Sequence, residues 1–179
     1  AEKDGLFDAG IINVGIPQRK GDPVLFNIDE GVRGETTSES LSKLRPAFDK
    51  AGNITAGNAS QISDGGAAVI VCSAAKAEEL GLKPLGEIVA IGQVAGPDAS
   101  LISQPAQAIK AAMAKVDLTV DDIDLFELNE AFAAVGVQSM KDLGISDDIV
   151  NVNGGAIAIG HPVGVSGTRI VLTLLNELA

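Results

Sequence analysis

Two polar side chains stand where chemistry could be done. His161 is the only histidine, and it lies in residues 151–169, NVNGGAIAIGHPVGVSGTR, among glycines and alanines that give it little steric company. An imidazole can trade a proton near neutral pH, and small residues let a backbone approach a ligand closely. Amides at the start of a following helix can face an anionic group or a developing oxyanion. Asn129 stands at the end of the strand-like stretch Asp124 to Leu128, 32 residues before the histidine. The same residues also fit a plainer arrangement, a tight connection between strand and helix with an exposed histidine.

The elements that must position these groups are legible in outline. Residues 150–152 read as the end of a strand, and Ser166-Gly167-Thr168 opens a helix with Ile170, Val171, Leu174, Leu175 and Leu178 on one face. Further back, Leu85 to Val94 reads as a strand, and Pro105 sits in the first turn of a helix to Val116. Asp124 to Leu128 is a strand, and a helix after Asn129 runs to Leu143 with Gly144 as its cap. The order from Pro84 onward is strand and helix three times over, which predicts a layered α/β unit. Ligands of open α/β sheets sit at the carboxyl ends of strands, so Asn129 and His161 are expected to converge.

The first part of the chain is less regular. Residues 1–17 read as a helix end running into a strand, and Ile11 to Ile16 with Val24 to Ile28 predicts a hairpin around the cationic turn Arg19-Lys20. Asp29 to Lys43 is loop-like. Its Arg33, Ser38, Ser40 and Lys43 fit a solvated surface before they fit a phosphate or ribose, although such donors can hold either. Asn53 to Gly66 concentrates small polar residues before the apolar run Ala67 to Cys72, and Ser73 caps a short helix stopped by Gly81. Cys72 is thus expected as an inert, packed thiol at the end of a buried strand, and not as a nucleophile.

Composition narrows the class. The chain has 179 residues, 46% of them hydrophobic, with a net charge of −11. That acidity counts against a nucleic-acid surface, whose phosphates draw on clustered Lys and Arg. A few local cations and oriented amides still allow an anionic small molecule. A single cysteine leaves no internal disulfide and no zinc spacing, and no apolar run is long enough to span a membrane. No metal site is expected, and the default location is cytoplasmic. Both termini read as interruptions of continuing patterns, with no initiator Met and no stop signal after Ala179.

The motifs taken together resemble one family. Asn129-Glu130-Ala131-Phe132, then GGAIAIGHP at 154–162 with Gly164 and Ser166-Gly167, is similar to the thiolases, specifically their biosynthetic acetyl-CoA acetyltransferase branch. The similarity extends back through KLRPAFD at 43–49 and TAGNAS at 55–60, so it covers nearly the whole chain. It implies an α/β fold of two layered βαβαβ halves and a loop domain over coenzyme A. Here residues 1–59 resemble the end of the loop domain. Residues 60–83 resemble the last strand and helix of the N-terminal half, and 84–179 most of the C-terminal half.

The resemblance implies a reversible Claisen condensation of two acetyl-CoA molecules to acetoacetyl-CoA and CoA. In that chemistry one cysteine takes the acetyl group and a second removes a proton from the next acetyl-CoA. His161 would assist the nucleophile and face the thioester oxygen, and Asn129 would orient a water that is the other donor. Ser60 matches a contact to the pantetheine arm, and Arg33 and Ser40 match positions near the nucleotide end. Ala131 and Phe132 match the pocket wall, and Leu101 stands where close relatives carry a methionine against the acyl chain. Coenzyme A thioesters are substrates, so no cofactor is expected. Cys72 matches neither family cysteine. The expected partners are therefore an N-terminal thiolase half, in the same or another chain, and further copies in a homo-oligomer. The alternatives are a non-catalytic thiolase-like module that binds CoA thioesters or serves in assembly, and a dinucleotide-binding unit. The second is set aside because the loop lacks G-x-G-x-x-G spacing and the acidic residue that should follow.

Overall fold

The structure, a computed structural model, describes residues 4–8 and 10–179. The helix end expected at the start of the chain falls partly on residues 1–3 and 9, outside the described residues. The hairpin is present: β1, Val14–Ile16, runs antiparallel to β2, Val24–Phe26, with Val14 opposite Phe26 and Ile16 opposite Val24. A five-residue helix, α1 (Ser38–Ser42), follows, closed by a capping box in which Thr37 and Ser40 each bond the other's backbone amide. The Ser73 hydroxyl accepts from the Lys76 amide at 3.2 Å to open α2 (Ala74–Glu79), and Gly81 at φ +62° follows its end.

The two apolar runs beside α2 depart from expectation. Neither Ala67 to Cys72 nor Leu85 to Val94 forms a ladder among the described residues. Ile70 is 94% exposed, and Cys72, expected in a packed setting, is exposed as well. The physical reason is that strand-forming side chains specify a face to be covered, while a strand also needs a hydrogen-bonding neighbour. Among the described residues, no backbone hydrogen bond joins either run to a neighbour. The second run does meet a helix: a Cβ on Gly92 would strike the Ala108 carbonyl, and Lys115 Nζ donates to the Ile91 carbonyl at 2.6 Å.

Beyond residue 103 the chain packs. Pro105 lies in the first turn of α3 (Gln104–Met113), and α4 (Ala133–Leu143) ends at Gly144, whose φ of +72° lets its amide reach the Met140 carbonyl at 2.8 Å. The two helices pack together over Ala106, Phe126 and Leu143, all buried, with Ile109, Val120, Ile123, Ile149 and Val150 against them. The strands expected at 124–128 and 149–152 contract to one parallel bridge, Phe126 to Val150. Its bonds run from the Phe126 amide to the Ile149 carbonyl at 2.8 Å and from the Asn151 amide to the Phe126 carbonyl at 2.9 Å. Thr119 precedes a short 3-10 segment, Val120–Asp122, and hydrogen bonds from Thr119 hold the Asp122 carboxyl below its usual range. Two helices complete the chain: α5 (Ala156–Ile159), four residues that the sequence did not announce, and α6 (Ser166–Glu177).

Candidate active site

The bridge between Phe126 and Val150 puts two chain ends side by side, and each delivers one polar group. After Phe126 the chain reaches Asn129, and after Val150 it turns through α5 to His161. The Asn129 Nδ2 lies 3.3 Å from His161 Nε2. The other ring nitrogen, Nδ1, is 2.6 Å from the hydroxyl of Ser166, the first residue of α6. Asn129 Oδ1 is buried and has no hydrogen-bond partner among the described residues. A buried carbonyl oxygen of this kind is an acceptor waiting for a donor.

A half-buried clamp next to these groups holds their geometry. The Asn151 side chain reads the backbone of the other chain end: its Oδ1 accepts from the Leu128 amide at 2.7 Å and its Nδ2 donates to the Leu128 carbonyl at 2.9 Å. Its Nδ2 also donates to Glu130 Oε1 at 2.8 Å, and Glu130 Oε2 accepts from the Ile157 amide at 3.0 Å, in the first turn of α5. Asn151 does this from φ +47°, a left-handed conformation that asparagine tolerates better than most residues. A Cβ on Gly155 would collide with the Glu130 carboxylate and push it from its bonds to Asn151 and Ile157. The loop is pinned again at Gly160, whose carbonyl accepts from Arg169 Nη2 at 2.9 Å and whose φ is +86°. On the other side, the His161 amide donates to the Gln61 carbonyl at 3.1 Å, and Gln61 Nε2 donates to the carbonyls of Gly31 and Ala158, each at 3.0 Å.

Charge is unevenly shared underneath. Burial, with Glu130 nearby, raises the Glu127 carboxyl to about 7; Arg169 acts against that shift and Glu177 adds to it. Burial also lowers the Arg169 guanidinium, against the pull of Asp29, Glu127 and Glu130. Among the described residues, no three His, Cys, Asp or Glu side chains form a metal-ligand set.

The residues singled out from the sequence fall into two groups. Asn129 and His161 meet, as the topology argument required. Ser60, Ala131 and Phe132 also come together: Ser60 donates through both its amide and its hydroxyl to the Ala131 carbonyl, at 3.1 and 3.2 Å. Phe132 meets Phe48 edge-on with ring centroids 6.3 Å apart. Arg33 and Leu101 are exposed and make no recorded contact with the imidazole, and the Ser40 hydroxyl donates to the Thr37 carbonyl at 2.8 Å within the α1 capping box. Sequence reasoning assigned no role to Glu130, Asn151, Gln61, Ser166 or Arg169. The paired glycines at 154–155 were the available signal for the clamp, since they mark a backbone that must pass close to something.

A histidine and an asparagine at neighbouring loop ends of a parallel α/β bridge, with Ser60 bonded to the Ala131 carbonyl close by in the chain, define a class. The chain belongs to the thiolase family. The family model described as "Thiolase, C-terminal domain" matches residues 82–179, and "Thiolase, N-terminal domain" matches residues 1–75. A probable acetyl-CoA acetyltransferase of Mycolicibacterium smegmatis is 62% identical over 179 residues, covering 100% of this chain and 46% of that protein. The crystal structure of the Bacillus anthracis acetyl-CoA acetyltransferase superposes with a TM-score of 0.91 at 44% identity, over 99% of this chain and 45% of that one. A human mitochondrial 3-ketoacyl-CoA thiolase in complex with CoA superposes at 0.89 and 40% identity, over 99% of this chain and 44% of that one. The fold is therefore the layered α/β thiolase fold, and the chain spans under half the length of these relatives. Among the described residues, no helix is long and apolar enough to cross a membrane.

Proposed function

We propose that this chain supplies the histidine and asparagine side of an acyl-transfer site, in an acetyl-CoA acetyltransferase that condenses two acetyl-CoA molecules to acetoacetyl-CoA and CoA and runs the reverse thiolysis. The observation that carries the reading is the 3.3 Å approach of Asn129 to His161 with Asn129 Oδ1 left without a partner. A water donating one hydrogen to that oxygen would aim its other at a thioester or enolate oxygen. His161 Nε2, once protonated, would aim a second donor at the same point. Two preorganised donors in a site closed to bulk water are commonly worth about 3 kcal/mol each in the barrier. Ser60, Ala131, Phe132 and Leu101 would line the pantetheine and acyl path, with Arg33 and Ser40 toward the nucleotide.

The two cysteines this chemistry needs come from sequence outside the 179 residues. Cys72, the single cysteine here, is exposed, and the imidazole's ring contacts are to Asn129 and Ser166 instead. The chain would then be inactive alone. Its runs 67–72 and 85–94 would be the strands that pair with and are covered by the remaining thiolase half. Residues 1–59 would belong to the loop domain, 60–83 to the end of the N-terminal half and 84–179 to the C-terminal half. CoA thioesters are substrates in this reading, no cofactor is needed, and the assembled protein is a cytoplasmic homo-oligomer.

The test is acetoacetyl-CoA thiolysis by the protein carrying this segment at its relatives' length. His161→Ala should lower turnover by at least about a hundredfold, through loss of proton transfer and of an oxyanion donor. Near-normal turnover would contradict the assignment.

A further inference from the structure

We infer that Ser166 fixes the tautomer of His161, keeping the ring proton on Nδ1 and presenting a bare Nε2 to the site; this rests on the reading of His161 as the acid–base group. Ser166 is 2% exposed, and its Oγ lies 2.6 Å from Nδ1 and 3.2 Å from the Pro162 carbonyl. A hydroxyl has one proton, and these two acceptors compete for it.

Suppose the hydroxyl gives its proton to Nδ1. The ring proton must then sit on Nε2, and the Asn129 amide must turn to place its oxygen toward the ring. That turn would put the amide NH2 at the buried position that has no partner. Buried orphan donors are rarer and costlier than under-used carbonyl oxygens. In the opposite arrangement the hydroxyl bonds back to the Pro162 carbonyl four residues earlier, as serine does in helices. Its lone pair accepts Nδ1–H, Asn129 Nδ2 donates to Nε2, and the one atom left over is an acceptor, Asn129 Oδ1. Each donor group from Asn129 through His161 and Ser166 to Pro162 is then used, so this arrangement wins.

The consequence is a direction for the chemistry. A neutral ring in this tautomer can take a proton only at Nε2, the nitrogen facing Asn129. When a thiol takes the place of the Asn129 amide at Nε2, its proton passes to that nitrogen and the sulfur keeps the electron pair. The imidazolium then holds Ser166 through Nδ1–H and offers Nε2–H as a new donor. Ser166 touches no reacting atom; it is a positioning residue. Nothing in the spacing of Ser166 from His161 announces this role, because the four residues between them are a turn and not a helix face.

The experiment is nitrogen-15 NMR of histidine-labelled protein carrying this segment at its relatives' length, at a pH where the ring is neutral, with His161 assigned by the signals lost in His161→Gln. The expected spectrum has a protonated Nδ1 and an unprotonated Nε2. Ser166→Ala should mix the tautomers and lower thiolysis turnover by about tenfold or more with KM little changed; Ser166→Thr, which restores a hydroxyl, should recover both. A wild-type ring protonated on Nε2 overturns the inference, as does a Ser166→Ala protein with unchanged tautomer and turnover. The tautomer is read without turnover, so the two readings fail separately. The stated tautomer together with an active His161→Ala protein would sink the acyl-transfer reading and leave Ser166 in place, while the opposite tautomer with an inactive His161→Ala protein would do the reverse.

Discussion

Residues 104–179 and residues 60–94 are similarly rich in apolar side chains, yet they behave differently. In the first region Phe126 is 6% exposed and Val135 2%, and Phe126 clusters with Ala106 of α3 and Leu143 of α4 from the same stretch of chain. In the second, Ile70 is 94% exposed and Leu85 72%. Hydrophobicity does not separate them; the presence of a partner does. A helix satisfies its own backbone and needs only a surface to lie on, whereas a strand leaves its amides and carbonyls for a neighbour. The site lies where the packed region begins to be self-sufficient, at the single parallel bridge between Phe126 and Val150.

The sharpest way to break this contrast is to shorten one apolar side chain on each side of it. Phe126→Ala should cost about 3–5 kcal/mol, because it opens a cavity between α3 and α4. Ile70→Ala in this chain should stay within about 0.5 kcal/mol, as for any exposed side chain. In the protein at its relatives' length, the same Ile70→Ala should rise to about 2–4 kcal/mol if the additional sequence covers it. Denaturant unfolding of both lengths measures this, and an equal small cost in both would break the comparison.

Glu127 gives a smaller effect, read in pH. Burial pushes its carboxyl up to about 7 in the folded protein from an ordinary 4.5, so between those pH values the folded state binds the extra proton. Stability should fall as pH rises from about 5 to about 7 and then level, the sign that follows when the native state holds more protons than the unfolded one. Glu127→Gln should remove that slope, and a slope left intact in denaturation curves across the range would contradict it. The smallest effect belongs to Cys72: Cys72→Ser should leave thiolysis by the longer protein unchanged, and stoichiometric acetylation of Cys72 by acetyl-CoA would reverse that assignment.

What could be read in the sequence divides along the same line. Local signals held: the Ser73 cap, Gly144 at the end of α4, Pro105 in the first turn of α3, the hairpin at Val14 and Phe26. Each depends on residues within a turn or two. The convergence of Asn129 and His161 was legible from topology, since both follow strand-like runs. The Glu130 clamp was not, because its hydrogen bonds join residues 21 and 27 positions apart and need Asn151 in a left-handed conformation. Cys72 failed for a related reason. Its apolar neighbours specify a buried strand, but the burying surface is not encoded in the run itself.

The claim that Asn129 and His161 form one oxyanion-binding unit is tested most directly by a double-mutant cycle on thiolysis, with Asn129→Ala, His161→Ala and the pair in the longer protein. Residues that act as a unit are strongly non-additive. The account predicts that the double variant is about as slow as His161→Ala alone. Losses that multiply, with the double variant slower than either single by the full product, would show two independent contributions and contradict it.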